Sequence, residues 1–178
     1  MDFHTHNLAA TPGTAIVNLP QEALLHPDAF TPHPAGLYSV GIHPWWTGEE
    51  NLPHLWAGAR ALAALPQVVA IGECGFDRLR GASPDVQREV FSRHVRLSEE
   101  LRKPLTIHCV RAFDLLLAAR RELHPEMKWT IHGFRGRPAL ARQLLDAGFD
   151  LSFGIRHNPE SFRLTPPGRR HVETDEDY

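Results

Sequence analysis

Two histidines spaced i and i+2, His4 and His6, stand at the head of the sequence in Met1-Asp2-Phe3-His4-Thr5-His6. On a β-strand such residues point to the same side, so both imidazoles are aimed at one point with stiff backbone behind them. Imidazole is a common ligand of divalent metals, and this spacing offers two nitrogen donors to one ion. Further metal-capable residues end apolar stretches: His43 after Val40 and Ile42, Glu73 after Val69 and Ile71, His108 after Leu105 and Ile107, and His132 after Trp129 and Ile131. Asp175 lies near the other end of the chain. Taken singly, a histidine after an apolar run is more often structural than a ligand. Seven such residues at the tips of strand-like runs point instead to one shared site. His4, His6, His108 and His132, with the carboxylates of Glu73 and Asp175, make a donor set suited to two hydrolytic divalent cations.

The elements that must position these residues are short apolar runs alternating with helical patterns. After the opening run, strands are predicted over residues 14–19, 37–43, 67–73, 104–109, 128–132, 149–154 and 171–175. Residues 20–36 hold four prolines and read as a loop with one helical turn near Gln21–Leu25. Leu52, Leu55, Trp56, Ala59, Leu62 and Ala63 have helical spacing and predict a helix over residues 51–65. Pro84–Leu101 is a strong helix, with Ser83 as N-cap and Pro84 in the first turn. Helices are also predicted over residues 112–123 and 137–147, the latter ended by Gly148. Strands alternating with helices argue for a parallel α/β sheet with right-handed crossovers, and eight strand-like runs argue for a barrel. In such a barrel the C-terminal strand ends converge on one mouth, where the chemistry sits.

A chain of 178 residues fits one domain, 1–178, and is short beside the roughly 250 residues of a typical large barrel. The formal charge of −2 excludes a pervasively basic nucleic-acid binder but not a nuclease, since bound cations can supply the positive charge. Cys74 and Cys109 make no disulfide framework and read as packing residues. No apolar stretch approaches the roughly 20 residues of a membrane span. The chain opens directly on Asp2-Phe3-His4 without a leader pattern, so a reducing cytoplasm is the expected compartment.

Not every candidate belongs to the site. His26, His33, His54, His94 and His124 lie in loops or on helices and read as solvated. Arg111 precedes a helix after the His108 strand, where it can hold a phosphate or carboxylate, or else pair with Asp114. Trp45 and Trp46 follow His43-Pro44 and read first as core or rim packing, and second as a wall for stacking a base. Arg169 and Arg170 read as ordinary loop charges.

Six blocks, in order, carry a family resemblance: Asp2-Phe3-His4-Thr5-His6, Gly41-Ile42-His43-Pro44, Ala70-Ile71-Gly72-Glu73-Cys74-Gly75-Phe76-Asp77, Pro104-Leu105-Thr106-Ile107-His108, Ile131-His132-Gly133-Phe134-Arg135-Gly136 and Glu173-Thr174-Asp175. With these the sequence resembles the TatD family of metal-dependent hydrolases, amidohydrolase-like enzymes described as deoxyribonucleases. The resemblance implies a TIM-barrel-like metallo-dependent hydrolase fold. It implies that His4, His6 and Asp175 hold one metal, that His108 and His132 hold the other, and that Glu73 bridges them. His43 falls where the family has a histidine beside the substrate, and Arg111 lies one position later than the arginine of many members. The chain departs from larger members in two ways. The proline-rich segment between His6 and His43 replaces the usual first long helix, as in a compact subfamily, and the sequence stops three residues after Asp175, lacking the final helix or helices. A fragment of a longer protein is therefore expected.

The activity so implied is a phosphodiesterase or deoxyribonuclease using two divalent ions (Mg, Mn or Zn), with Asp175 orienting or deprotonating the attacking water. Without a basic stripe, single-stranded or frayed ends suit the chain better than long duplexes. Two alternatives stand beside this. One is hydrolysis of a small amide, ester or lactone, for which a carboxylated lysine commonly bridges the metals; Glu73 occupies that place and Lys103 begins a strand. The other is a catalytically inactive binding barrel.

Overall fold

Every apolar run expected to form a strand does so in the computed structural model, which describes residues 1–175, so the last three residues of the expected 1–178 domain lie outside it. The strands are β1 (Asp2–Thr5), β2 (Ala15–Asn18), β3 (Leu37–Val40), β4 (Val68–Asp77), β5 (Leu105–Val110), β6 (Trp129–Ile131), β7 (Asp150–Phe153) and β8 (Arg170–Val172). They form one parallel sheet in the order β1-β2-β3-β4-β5-β6-β7-β8. The sheet is an α/β TIM-barrel-like fold, nearly closed on itself. Among the described residues no ladder joins β1 to β8, but side chains span the seam. The Asp2 carboxylate accepts the Thr174 N–H at 3.1 Å and also its hydroxyl, and Phe3 stacks on His171 with ring centroids 4.4 Å apart.

Helices cover the outside: α1 (Gln21–Leu25), α2 (Leu52–Ala63), α3 (Pro84–Leu101), α4 (Phe113–Leu123), α5 (Pro138–Asp146) and α6 (Pro159–Leu164). Each buries the stripe its periodicity presents; on α2 this is Leu55, Ala59, Leu62 and Ala63, and on α3 it includes Val90, Phe91, Val95 and Leu97. One core cluster runs from Leu19 to Phe153 and includes Trp129, Phe76, Phe91 and Phe149. None of the helices among the described residues is long and apolar enough to cross a membrane.

Three features differ from the sequence-based expectations. β4 continues to Asp77, four residues past Glu73, because Gly75 lets β5 lie against it; a Cβ there would stand 2.0 Å from the His108 carbonyl oxygen. β8 ends at Val172; the Glu173 N–H still donates to the Phe153 carbonyl of β7 at 3.1 Å, while Thr174 and Asp175 lie past the ladder rather than at the end of a strand. α6 was not anticipated: its six residues are too few to show periodicity, although Asn158 caps it by accepting the Glu160 and Ser161 N–H groups at 3.0 Å.

Two expectations about charged or polar residues are corrected. Arg169 is no free loop charge: it donates to the Asp150 carboxylate at 3.2 Å and to the Leu145 carbonyl at 2.9 Å, while Arg170 donates to the Phe162 carbonyl at 3.1 Å. Their guanidinium groups fix the β7–β8 connection, a job long side chains do from one-residue offsets that show no pattern in sequence.

His94 is the second correction. It lies on the core face of α3 and is fully buried. Its Nδ1 hydrogen donates to the Val90 carbonyl and its Nε2 accepts the Ile42 N–H, both at 2.8 Å. The ring must therefore be neutral, and burial pushes its pKa down to about 4. Between this value and the unfolded value near 6.5, the unfolded chain binds the proton and the folded chain does not, so stability falls as pH falls through that window. Chemical denaturation at pH 7 and pH 5 should show a loss of about 2 kcal/mol from this group alone. A His94→Gln chain should be less stable at pH 7 but lose less on acidification; an unchanged pH slope would contradict the assignment.

Candidate metal centre

The C-terminal ends of the strands deliver their polar residues to one point, and Glu73 is that point. Its carboxylate is almost fully buried. His108 Nδ1 lies 2.8 Å, His132 Nε2 2.7 Å and His43 Nε2 3.1 Å from Oε1, while His6 Nε2 and His4 Nε2 lie 3.2 and 3.4 Å from Oε2. Five imidazoles from four strand ends thus surround one carboxylate. The backbone allows this because Gly72, with φ +136, sits against β5, where a Cβ would come within 2.2 Å of the Thr106 carbonyl oxygen. Asn18, at the end of β2, then accepts the Glu73 N–H at 2.8 Å and the Ser39 hydroxyl at 3.0 Å, fixing where the carboxylate points.

Asp175 approaches from the far end of the chain. Its carboxylate lies 3.7 Å from His6 Nε2 and 3.6 Å from His132 Nδ1. Three overlapping groups result, with donor atoms within 4.8 Å of one another: His4, His132 and Asp175; His4, His6 and Glu73; His43, Glu73 and His108. Both ring nitrogens of His4, Nδ1 of His132 and Oδ1 of Asp175 are buried without a hydrogen-bond partner. Buried polar atoms left so cost free energy unless something satisfies them, and imidazole and carboxylate donors are what a divalent cation requires. The residues therefore fit a metal site.

The electrostatics follow from the same packing. Burial alone would raise the Glu73 carboxyl, but the charge of His132 and the hydrogen bonds from His108 and His132, with the nearby His4 ring, outweigh it, holding the group well below the usual carboxylate range. Burial lowers His132 and His108, yet Glu73 with Glu173, and Asp77 with Glu73, reverse this and raise both. His43 is lowered, chiefly by burial, with the Glu73 contact offsetting only part. The Trp45 backbone N–H donates to His43 Nδ1 at 3.1 Å, so the neutral ring carries its hydrogen on Nε2, facing Glu73. Burial raises Asp175 above the ordinary carboxylate value, and nearby His4 offsets part of that.

His6, His43, Glu73, His108, His132 and Asp175 all line one cavity of about 830 Å³, and His4 lies fully buried beneath them. Arg111 reaches the same cavity. It does not pair with Asp114: Arg78 takes both Asp114 oxygens at 2.7 and 2.8 Å and also donates to the Arg111 carbonyl at 2.9 Å. The loop is thereby held, with Arg111 in the left-handed region at φ 52 and its side chain exposed at the rim.

A family model described as TatD related DNase matches residues 29–178 of this chain. The chain belongs to that family. It is 40% identical over 158 residues to a Mycobacterium tuberculosis protein named as an uncharacterised metal-dependent hydrolase TatD, covering 79% of this chain and 58% of that one. It is 34% identical over 156 residues to the 3′-5′ ssDNA/RNA exonuclease TatD of Erwinia billingiae, covering 79% and 57% respectively. This TatD-family chain thus spans a little over half the length of those curated relatives. Among solved structures it resembles a TatD family hydrolase from Entamoeba histolytica, with TM-score 0.68 and 22% identity over 89% of this chain and 59% of that one. It also resembles the TatD homologue YJJV of Escherichia coli, with TM-score 0.71 and 19% identity over 91% and 67%. Both likenesses bear on the fold.

Around this TatD-family centre, two carboxylates do work that sequence reading did not assign. Asp77 Oδ2 lies 3.0 Å from His108 Nε2 and accepts the Trp45 indole N–H at 2.7 Å. It orients His108 so that Nδ1 faces Glu73, the usual task of a carboxylate behind a ligand histidine. Glu173 accepts the Gly133 N–H at 2.6 Å and the Ser152 hydroxyl, and stands 3.5 Å from His132 Nδ1. Each is an acid in the motifs at i+4 from Glu73 or i−2 from Asp175, and that proximity was the available signal.

Proposed function

We propose that this chain carries the centre of a divalent-metal-dependent phosphodiesterase, active in the reducing cytoplasm, that removes nucleotides from the ends of single-stranded nucleic acid. The observation that carries the reading is the convergence of His4, His6, His108 and His132 on the buried Glu73, with Asp175 beside His6 and His132, and with donor atoms of His4, His132 and Asp175 making no hydrogen bond. In this reading His4, His6 and Asp175 would hold one ion and His108 and His132 a second, with Glu73 shared between the two sets; Mg²⁺, Mn²⁺ or Zn²⁺ would suit these donors. Such ions, when bound, make water acidic enough to attack near neutral pH and offset charge on the phosphoryl oxygens.

The chain's own residues do the rest. Asp175 orients the attacking water and takes its proton, a role suited to a carboxylate whose basicity burial has increased. His43, neutral and with its hydrogen on Nε2, donates to the developing negative charge, and Arg111 holds a non-bridging oxygen from the rim. The exonuclease name of the Erwinia relative supports nucleic-acid ends as substrate.

Hydrolysis of a small amide or lactone with a carboxylated lysine has less support. The Lys103 ammonium donates to the Ala63 and Leu65 carbonyls at 2.6 and 3.1 Å, before β5 begins, and is engaged there rather than beside Glu73. The test is direct. With Mg²⁺ or Mn²⁺, single strands labelled at either end should shorten stepwise from one terminus, and chelator should stop the reaction. Intact strands after metal loading, alongside cleavage of N-acyl amino acids, would overturn the proposal.

A further inference from the structure

The chain has four tryptophans, and two of them, Trp45 and Trp46, are adjacent, half-buried and line the cavity of the metal centre. Trp129 by contrast is fully buried in the core. The Trp45 ring lies 4.6 Å from His43 and 6.1 Å from His108, and the Trp46 ring lies 5.7 Å from His43. Both histidines contact Glu73, so the indole wall begins within the span of one nucleotide from the point where a phosphorus would sit.

Trp45 is fixed by two contacts besides packing. Its N–H is fixed on Asp77 at 2.7 Å, and the Arg80 guanidinium lies over its ring at 4.2 Å from the centroid. A ring fixed in advance gives up little freedom when a flat ligand stacks beside it. Arg111 lines the same cavity and complements a phosphate, so an aromatic wall and a cation face one volume.

From this arrangement we infer that Trp45 and Trp46 form a stacking subsite for the base of the terminal nucleotide, selecting nucleotides over base-free phosphodiesters. The inference rests on the phosphodiesterase reading of the same site. Because every base presents a π-face, the selection is for the presence of a base rather than its identity.

The experiment titrates the metal-loaded chain, by tryptophan fluorescence, with a phosphorothioate thymidine dinucleotide and with its base-free counterpart. The base-bearing ligand should bind at least about five-fold more tightly and quench the emission. Trp46→Leu, which keeps apolar bulk without a ring, should remove the difference, and Trp46→Phe should retain it. Equal affinity for the two ligands, no binding of either, or a preference surviving in Trp46→Leu overturns the inference. Preferential binding by a chain that hydrolyses no strand would leave the subsite standing and sink the phosphodiesterase reading alone.

Discussion

Asp175→Asn is expected to lower metal-dependent hydrolysis of single strands by about a hundred- to ten-thousand-fold while leaving the barrel folded. The substitution keeps the shape of the side chain and removes its basicity. Its effect on the fold should be small because the Asp175 contacts are long, 3.6 Å to His132 and 3.7 Å to His6, and Oδ1 makes no hydrogen bond. The barrel seam is held instead by Asp2, which grips Thr174 one residue earlier. Initial rates and a thermal melt on the same preparation check both halves. A variant that melts normally and still hydrolyses at near the parent rate would remove Asp175 from the chemistry.

Glu73→Gln should have the larger consequence, because Glu73 is the one group that all five imidazoles share. An amide cannot accept from them with full charge, nor can it span two cations, so affinity for divalent metal should fall by at least about a hundred-fold. The metal-free chain should suffer as well. His132 and His108 are held above their ordinary pKa largely by this carboxylate, and removing one member of a buried charge cluster costs roughly 3 kcal/mol. Those histidines can shed protons in response, which keeps the cost near the lower end of what buried pairs show.

The parts of the fold that were legible in the sequence are those governed by local pattern. His4 and His6 do face one point, His4 within β1 and His6 one residue past its end, the Ser83-Pro84 start and apolar stripe of α3 mark its bounds, and eight apolar runs become eight parallel strands. What escaped depends on contacts far apart in the chain. His94 reads as solvated from its place on a helix, but its neighbour Ile42 lies 52 residues away and supplies the N–H that makes burial tolerable. Asp77 and Glu173 carry only the signal of standing near Glu73 and Asp175 in the motifs, since their value lies in which histidine nitrogen they face. The end of β8 was misplaced because Thr174 turns its backbone and hydroxyl to Asp2, 172 residues away, rather than to the ladder. That contact also explains how the last carboxylate of the site meets the first histidines: the seam places Asp175 beside His6.

In the proposed centre, Glu73 and its surrounding histidines, with Asp175, would hold two divalent ions. Titrating the chain with Mn²⁺ and counting bound metal by elemental analysis, in parallel with Glu73→Gln, tests it most directly. The prediction is about two ions per parent chain and weak, substoichiometric binding in the variant. A parent chain that takes up no metal, or a Glu73→Gln chain that binds two ions as tightly, would contradict it.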